Sequence, residues 1–308
     1  HKTMVPFKFF IVKNFFRHLT DIAEFLRLTI DLPRTTLYNE RKRNTERDYT
    51  VKSDLKRGLA GSTLKLVALS SMLIDHTGAI VVLRMIRNRG GTTAMTAEAY
   101  QAFMSEYSWL VSLYDLMRLV GRLAFPLFCF LLVEGFLHTR HLSRYLRNLG
   151  LFALLSEPCF DLALNGVWLE FTSQNVFFTL FLGLLTLTGI QWIEQHFGNL
   201  HYAAAWLLKA LVTAVGCLLA FLLRTDYAAC GVLCISLMYM LRSHRVRAFA
   251  AGCIPLLLLS SSQLFSYFAL PLIGKYNGTR GISLKYVFYA FYPVHLLLLG
   301  VVAQIPGL

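Results

Sequence analysis

The tract from Arg118 to Arg140, RLVGRLAFPLFCFLLVEGFLHTR, is apolar over a length that crosses a bilayer, yet it carries Arg122 and Glu134 inside it. An ionisable group in hydrocarbon costs about 2.5–3.5 kcal/mol even on a lenient insertion scale, so it usually marks a chemical pathway. The pattern recurs along the chain. Asp75 with His76, Glu157 with Asp161, and His295 each interrupt a long apolar run. These features predict an all-α, polytopic transmembrane helical bundle with a polar interior.

Composition agrees, because 56% of residues are hydrophobic and only 15% are charged, whereas a soluble domain carries roughly 25% charged residues. The six cysteines all fall in apolar stretches without CxxC spacing. They read as small core hydrophobes and not as disulfides or metal ligands. A net charge of +13 on a soluble chain would suggest nucleic acid as partner, but 13 of the 30 Lys and Arg lie in residues 1–63. That concentration points to membrane lipid instead.

Between Phe7 and Ile30, Phe9, Val12, Phe16, Leu19, Ala23 and Leu26 recur at helical spacing opposite Lys8, Lys13 and Arg17. A basic amphipathic helix lying on an anionic membrane, or packed on the protein's own cytoplasmic face, has this pattern. Pro33 ends it, and Arg34 to Arg57 is too charged to bury a core, so it is expected to be a solvated linker. Residues 1–60 therefore form a basic extension, and residues 61–308 the membrane domain. The leading His1 suggests a start that is not native.

With about 20 apolar residues per crossing, eight spans are expected, near residues 64–83, 119–137, 148–166, 175–193, 203–223, 227–241, 248–272 and 286–305. The basic tail places the N-terminus in the cytoplasm. HTRHLSRYLR and RSHRVR then face the cytoplasm with six Lys and Arg between them, against eight on the other side: Arg84, Arg87, Arg89, Arg118, Arg224, Lys275, Arg280 and Lys285. The vote on orientation rests on the tail.

Depth then sorts the polar residues. His76 lies just past the middle of the first span and His295 near the middle of the last, so two imidazoles can meet at one level. Either can take a proton near neutral pH. Adjacent helical residues point about 100° apart, so Asp75 is expected to pair with another helix and not with His76. Arg118 and Arg122 share one face of the second span and are its candidate partners, either in chemistry or as an ion pair that fixes packing.

Glu157 and Asp161 share a face at i and i+4 with Pro158 between them, a spacing that suits a proton relay, a cation site or a partner arginine equally. Glu134 and His138 have the same spacing, but His138 sits at the membrane edge, where a helix-end role is expected; no metal centre is. Tyr276, Asn277, Gly278, Arg280 and Gly281 form a Gly-punctuated loop, after which Lys285, Tyr289, Tyr292 and His295 descend one helical face. Tyr292 is deeper than an interfacial anchor needs to be. Asn175 and Asp226 complete the polar residues expected in the interior.

The tracts LKLVALSSMLIDHTGA, RLVGRLAFPLFCFLLVEGFLHTR, YLRNLGLFALLSEPCFDLA, QNVFFTLFLGLL, YNGTRG and KYVFYAFYPVHLL occur in that order between residues 64 and 297. Together they resemble the TraX family, bacterial inner-membrane proteins typified by the F-pilin N-acetylase of conjugative plasmids. The resemblance implies acetyl transfer from acetyl-CoA to an amine, the typical acceptor being the N-terminus of a processed pilin. The family is also distantly similar to membrane acyltransferases that acetylate cell-envelope sugars.

An amine must lose a proton to attack a thioester, and the thioester oxygen then needs a positive partner. His76 is thus the expected general base, His295 the second acid or base, and Arg122 the stabiliser of developing negative charge. Arg140, Arg144 and Arg147 can receive the phosphates of CoA, or serve only to orient the chain. Two other classes fit the buried polar groups: a proton-coupled transporter or flippase using Glu157, Asp161 and the histidines, and a non-catalytic assembly factor. Binding of acetyl-CoA with release of CoA separates the enzyme from both.

Overall fold

A computed structural model of the chain describes residues 58–92, 95–168, 170–197, 201–283 and 285–305. The expected amphipathic helix and charged linker of the extension lie outside these. The described residues are helical throughout, with isolated backbone bridges and no strand. Among the described residues, four helical runs are long and apolar enough to cross a membrane, Gly61–Asn88, Ala97–His138, Val176–His196 and Tyr202–Leu222, while Ala228–Met240 and Phe288–Val302 are apolar but shorter.

The first run is α1 (Gly61–His76), a π-helical turn (Thr77–Val82) and α2 (Leu83–Asn88). Its 28 residues extend roughly 42 Å. A hydrocarbon core is about 30 Å thick, so the run reaches well past it. The overhanging end is not bare: Val82 and Ile86 pack on Phe103 and Leu110 of α3 (Ala97–Gly121), which returns antiparallel. Thr96 starts α3 by accepting from the Ala99 N–H at 3.2 Å. Within the expected second span the helix breaks at Arg122 and Leu123, and α4 (Ala124–His138) continues to the far side.

Next come α5 (Leu142–Asn165), α6 (Val176–His196), α7 (Tyr202–Leu222) and α8 (Ala228–Met240). On α7, Leu207, Leu211, Leu218 and Leu222 are exposed at helical spacing, a stripe that only lipid would favour. Its far face is held by charge, since Glu194 of α6 takes Lys209 of α7 and Arg242 after α8, each at 2.8 Å.

Residues 248–272, expected as the seventh crossing, instead enter the bundle and return to the same side. The path is α9 (Arg245–Cys253), two 3-10 turns (Ile254–Leu258 and Ser261–Ala269) and α10 (Leu270–Gly274). Its two ends meet: the Arg245 guanidinium lies 5.0 Å from the Tyr276 ring centroid. Pro255, Ser260 and Pro271 explain the reversal. The prolines sit at the starts of short turns, and the Ser260 side chain accepts from the Ser262 N–H at 3.2 Å, so the chain restarts where a straight helix would have continued. A hydropathy window counts apolar length and is blind to direction.

The last helix, α11 (Lys285–Val302), therefore runs parallel to α1, with Lys65 over Phe288 near one end and His76 against His295 further along. Lys275, Arg280 and Lys285, expected on the outer side, fall on the side where α1 begins. The physical tie is direct. The first N–H groups of a helix have no partner within it, and those of Gly61 and Ser62 donate to the carbonyls of Thr279 and Arg280 at 2.8 and 3.0 Å. The YNGTRG loop caps α1.

Candidate functional site

His76 closes α1, and His295 sits one turn after Phe291 on α11. His76 Nδ1 is 2.6 Å from His295 Nε2, and the two ring planes are within 3° of parallel. His295 Nδ1 is in turn 2.7 Å from the Phe291 carbonyl oxygen. A carbonyl only accepts, so His295 Nδ1 carries a proton. In a neutral ring its Nε2 is then an acceptor, and His76 Nδ1 must be the donor. The chain of bonds leaves His76 Nε2 with a free lone pair, a base whose ring orientation is fixed by its neighbour.

Around the pair, Tyr292 is buried, with its ring 6.0 Å from His76 and 5.7 Å from His295, and it packs edge-on to Phe177 at 5.0 Å. This is the depth expected of it from the sequence. The π turn begins directly after His76 and rephases the helix there, a distortion frequent at functional sites.

Asp75 points away from His76, as one step along a helix requires. Its Oδ2 accepts from Arg118 at 2.6 Å, while Oδ1 and the Nε of Arg122 are buried without a partner. Asp75 can lie this close to α3 because residue 121 is glycine: a Cβ there would sit 2.1 Å from Oδ1. Of the two arginines expected to face Asp75, Arg118 makes the ion pair. Arg122 keeps a donor for something else.

Glu157 and Asp161 take on a structural duty. Glu157 Oε2 accepts from the Asn175 backbone at 3.0 Å and from the Asn175 side-chain amide, and Asp161 Oδ2 accepts from the Glu170 N–H at 2.7 Å. Asn175 is fully buried, also donates to the Ala153 carbonyl at 2.8 Å, and caps α6 through the Phe177 N–H at 2.9 Å. Asp226 belongs to a turn in which Arg224, Tyr227 and Ala228 all have positive φ, a conformation costly for side-chain-bearing residues. The Asp226 N–H donates to the Gln174 carbonyl at 2.8 Å, pinning that turn to the start of α6, and the Tyr227 ring stacks on Phe125 with centroids 3.7 Å apart.

Glu134 lies elsewhere. It is about 18 Å along α4 from Arg122, counting twelve residues at the helical rise, and it faces Arg245 at 3.6 Å. His138 bonds the Glu134 backbone carbonyl at 2.8 Å, a helix-end contact. Arg140, Arg144 and Arg147 are exposed around the start of α5, on the side where α1 begins. On that same side a cavity of about 550 Å³ opens among residues 242–247 and Tyr276. Burial lifts the Tyr276 phenol to about 12, with the Glu134 carboxylate adding to the effect, so it stays neutral beneath Arg245.

Sequence reasoning missed the π turn, which has no pattern of its own, and the cavity, because RSHRVR reads as topological charge. The link from Glu157 to Asn175 had a signal, an asparagine just before an apolar run, which is a helix-start signature.

Residues 60–303 match the family model described as TraX protein. A protein of Dichelobacter nodosus, described as "Probable fimbrial assembly protein FimC, serogroup H1", is 29% identical over 263 residues, covering 77% of this chain and 92% of the relative. No solved structure matches the chain.

Proposed function

Because the chain belongs to the TraX family, we propose that it is a bacterial inner-membrane acetyltransferase that moves an acetyl group from acetyl-CoA to an amine, with the N-terminus of a pilin subunit as acceptor. Likeness to a fimbrial assembly protein supports the pilin-related role. The observation that carries the chemistry is the hydrogen-bonded His76 and His295 pair, set within apolar helices with one ring nitrogen free.

In this reading His76 Nε2 takes a proton from the amine as its nitrogen attacks the thioester carbonyl. The C–N bond forms, the C–S bond breaks, and the proton passes from His76 to the departing thiolate, so the histidine ends as it began. His295 holds the base in its reactive tautomer and shares the positive charge through the 2.6 Å contact. Arg122, with its buried Nε unpaired, is the group available to the negative charge that builds on the carbonyl oxygen.

Seven crossings with the N-terminus inside suit the parallel course of α1 and α11. Three cations expected outside, Lys275, Arg280 and Lys285, then join the inner side, which strengthens the positive-inside balance. Glu157 and Asp161 each give one carboxylate oxygen to a backbone N–H of the loop after α5, whereas the histidine pair keeps a free ring nitrogen, and that contrast supports an enzyme over a proton-coupled carrier.

The test is acetyl transfer by the purified protein in nanodiscs, with labelled acetyl-CoA and a peptide bearing a pilin N-terminus. Label on the α-amine with matching release of CoA is expected, and an N-blocked peptide should take none. Label on an envelope sugar would change the acceptor. Absence of CoA release with both peptide and membrane extract, alongside proton flux in proteoliposomes, would overturn the reading in favour of a carrier.

A further inference from the structure

The cavity at the end where α1 begins has the chemistry of an anion site. Arg242, Arg245 and Arg247 line it together with His244, and no carboxylate does. Arg242 is already paired with Glu194 at 2.8 Å. Arg245 is held over Tyr276, its Nε turned to Glu134 at 3.6 Å, with both terminal nitrogens beside Gly278. Gly278 has φ +77°, and a Cβ there would lie 3.0 Å from Arg245, so glycine answers both the backbone and the approach of the guanidinium. Arg247 is exposed and has no ion-pair partner among the described residues.

The helix α9 starts at Arg245 within the cavity lining, and the His244 side chain does not cap it. A helix N-terminus with unpaired donors and flanking arginines favours phosphate oxygens. The volume, about 550 Å³, lies in the range of small-molecule sites, roughly 300–1,000 Å³.

We propose that this cavity binds the diphosphate of a coenzyme A thioester, with Arg245 and Arg247 as the phosphate-binding side chains. The inference rests on the acetyl-transfer reading above. Depth is consistent with it. From Gly61 to His76 is roughly 22 Å along α1, and from Glu134 to Arg122 about 18 Å along α4. A pantetheine arm extends roughly 15 Å over its chain of single and amide bonds. An arm of that length from phosphates lodged in the cavity covers most of the roughly 18–22 Å of depth between the basic loops and the level of Arg122 and His76, so that the donor enters from the side of the basic loops.

A phospholipid headgroup offers the same phosphate chemistry, so the test separates the two. Full-length protein in phosphatidylcholine nanodiscs is titrated with CoA and with pantetheine, which lacks the phosphates, and again with phosphatidylglycerol added. Wild type should prefer CoA, and Arg245→Gln with Arg247→Gln should cut that preference by about tenfold or more, the equivalent of one charge-assisted bond. Arg247→Gln alone, at an exposed position, should show part of the same loss if the double variant misfolds. Unchanged CoA affinity in both variants would overturn the proposal. So would a loss confined to replacement of Arg140, Arg144 and Arg147, or phosphatidylglycerol displacing CoA only by way of Arg245 and Arg247 in a protein that prefers the lipid. Acetyl-pantetheine distinguishes the two levels: transfer from it without any phosphate preference sinks the cavity assignment alone, whereas arginine-dependent CoA binding without transfer from either donor sinks the enzyme reading alone.

Discussion

His76 Nδ1 and His295 Nε2 lie 2.6 Å apart although 219 residues separate them, and the Phe291 carbonyl at the far side of His295 dictates the direction of the bond between them. The arrangement assigns unequal roles: His76 presents the free nitrogen, and His295 orients it.

His76→Ala should therefore lower acetyl transfer by a factor on the order of 100 to 10,000, the usual scale of general-base catalysis, while CoA still binds. His295→Ala should cost less, because the base survives but its tautomer is no longer fixed. Single-turnover rates on monodisperse protein decide the matter. Near-normal turnover by His76→Ala would shift the base to His295.

The Asp75 and Arg118 pair should behave as one unit with Gly121. Asp75→Asn or Gly121→Ala should each lower stability by about 1–3 kcal/mol, less than for a fully buried pair because both side chains keep some solvent access. Since the added Cβ would meet Asp75 itself and cost part of its stability through the lost ion pair, the loss in the double variant should fall short of the sum of the two single ones. Thermal melts in detergent would show this. Fully additive losses would mean that the glycine serves a different contact.

Asn175→Ala removes a helix cap, worth about 1 kcal/mol, and strips Glu157 of its side-chain donor, costing about 1–3 kcal/mol more. A combined loss of roughly 2–4 kcal/mol is expected from these terms, read from the same melts. Asn175→Asp should be worse, since it sets a second carboxylate against Glu157. Stability equal to wild type in either variant would contradict the interior role of this amide.

Topology is tested with single cysteines after the native ones are replaced. A cysteine at Val167 should react with an impermeant reagent added to intact cells, and one at Thr279 only after permeabilisation. Outside labelling of Thr279 would restore a crossing between residues 248 and 272.

Much of the site was legible in the sequence for a simple reason: lipid makes polar residues conspicuous. His76, His295 and Asp75 stand out because each interrupts an apolar run, Arg118 because it shares a helical face with Arg122, and Tyr292 because it lies deeper than an anchor needs to; helical spacing alone said that Asp75 would turn from His76 to another helix. What spacing could not say was which arginine it would meet. The packing settled that: Arg118 bonds Asp75 at 2.6 Å, and Gly121 leaves room for the carboxylate against α3.

The sequence by itself determined that the chain is helical, apolar and polar inside, because the helical period and the cost of charge in hydrocarbon are local properties of the chain. Only the tertiary structure decided direction and partnership. A window of apolar residues from 248 to 272 has the same hydropathy whether it crosses or turns back, and the turn is visible only when Arg245 is found beside Tyr276. The carboxylates Glu157 and Asp161 carry the spacing of a relay, yet the loop between α5 and α6 supplies backbone N–H groups that bind one oxygen of each. Contacts between residues distant in sequence made those choices, and no local pattern contains them.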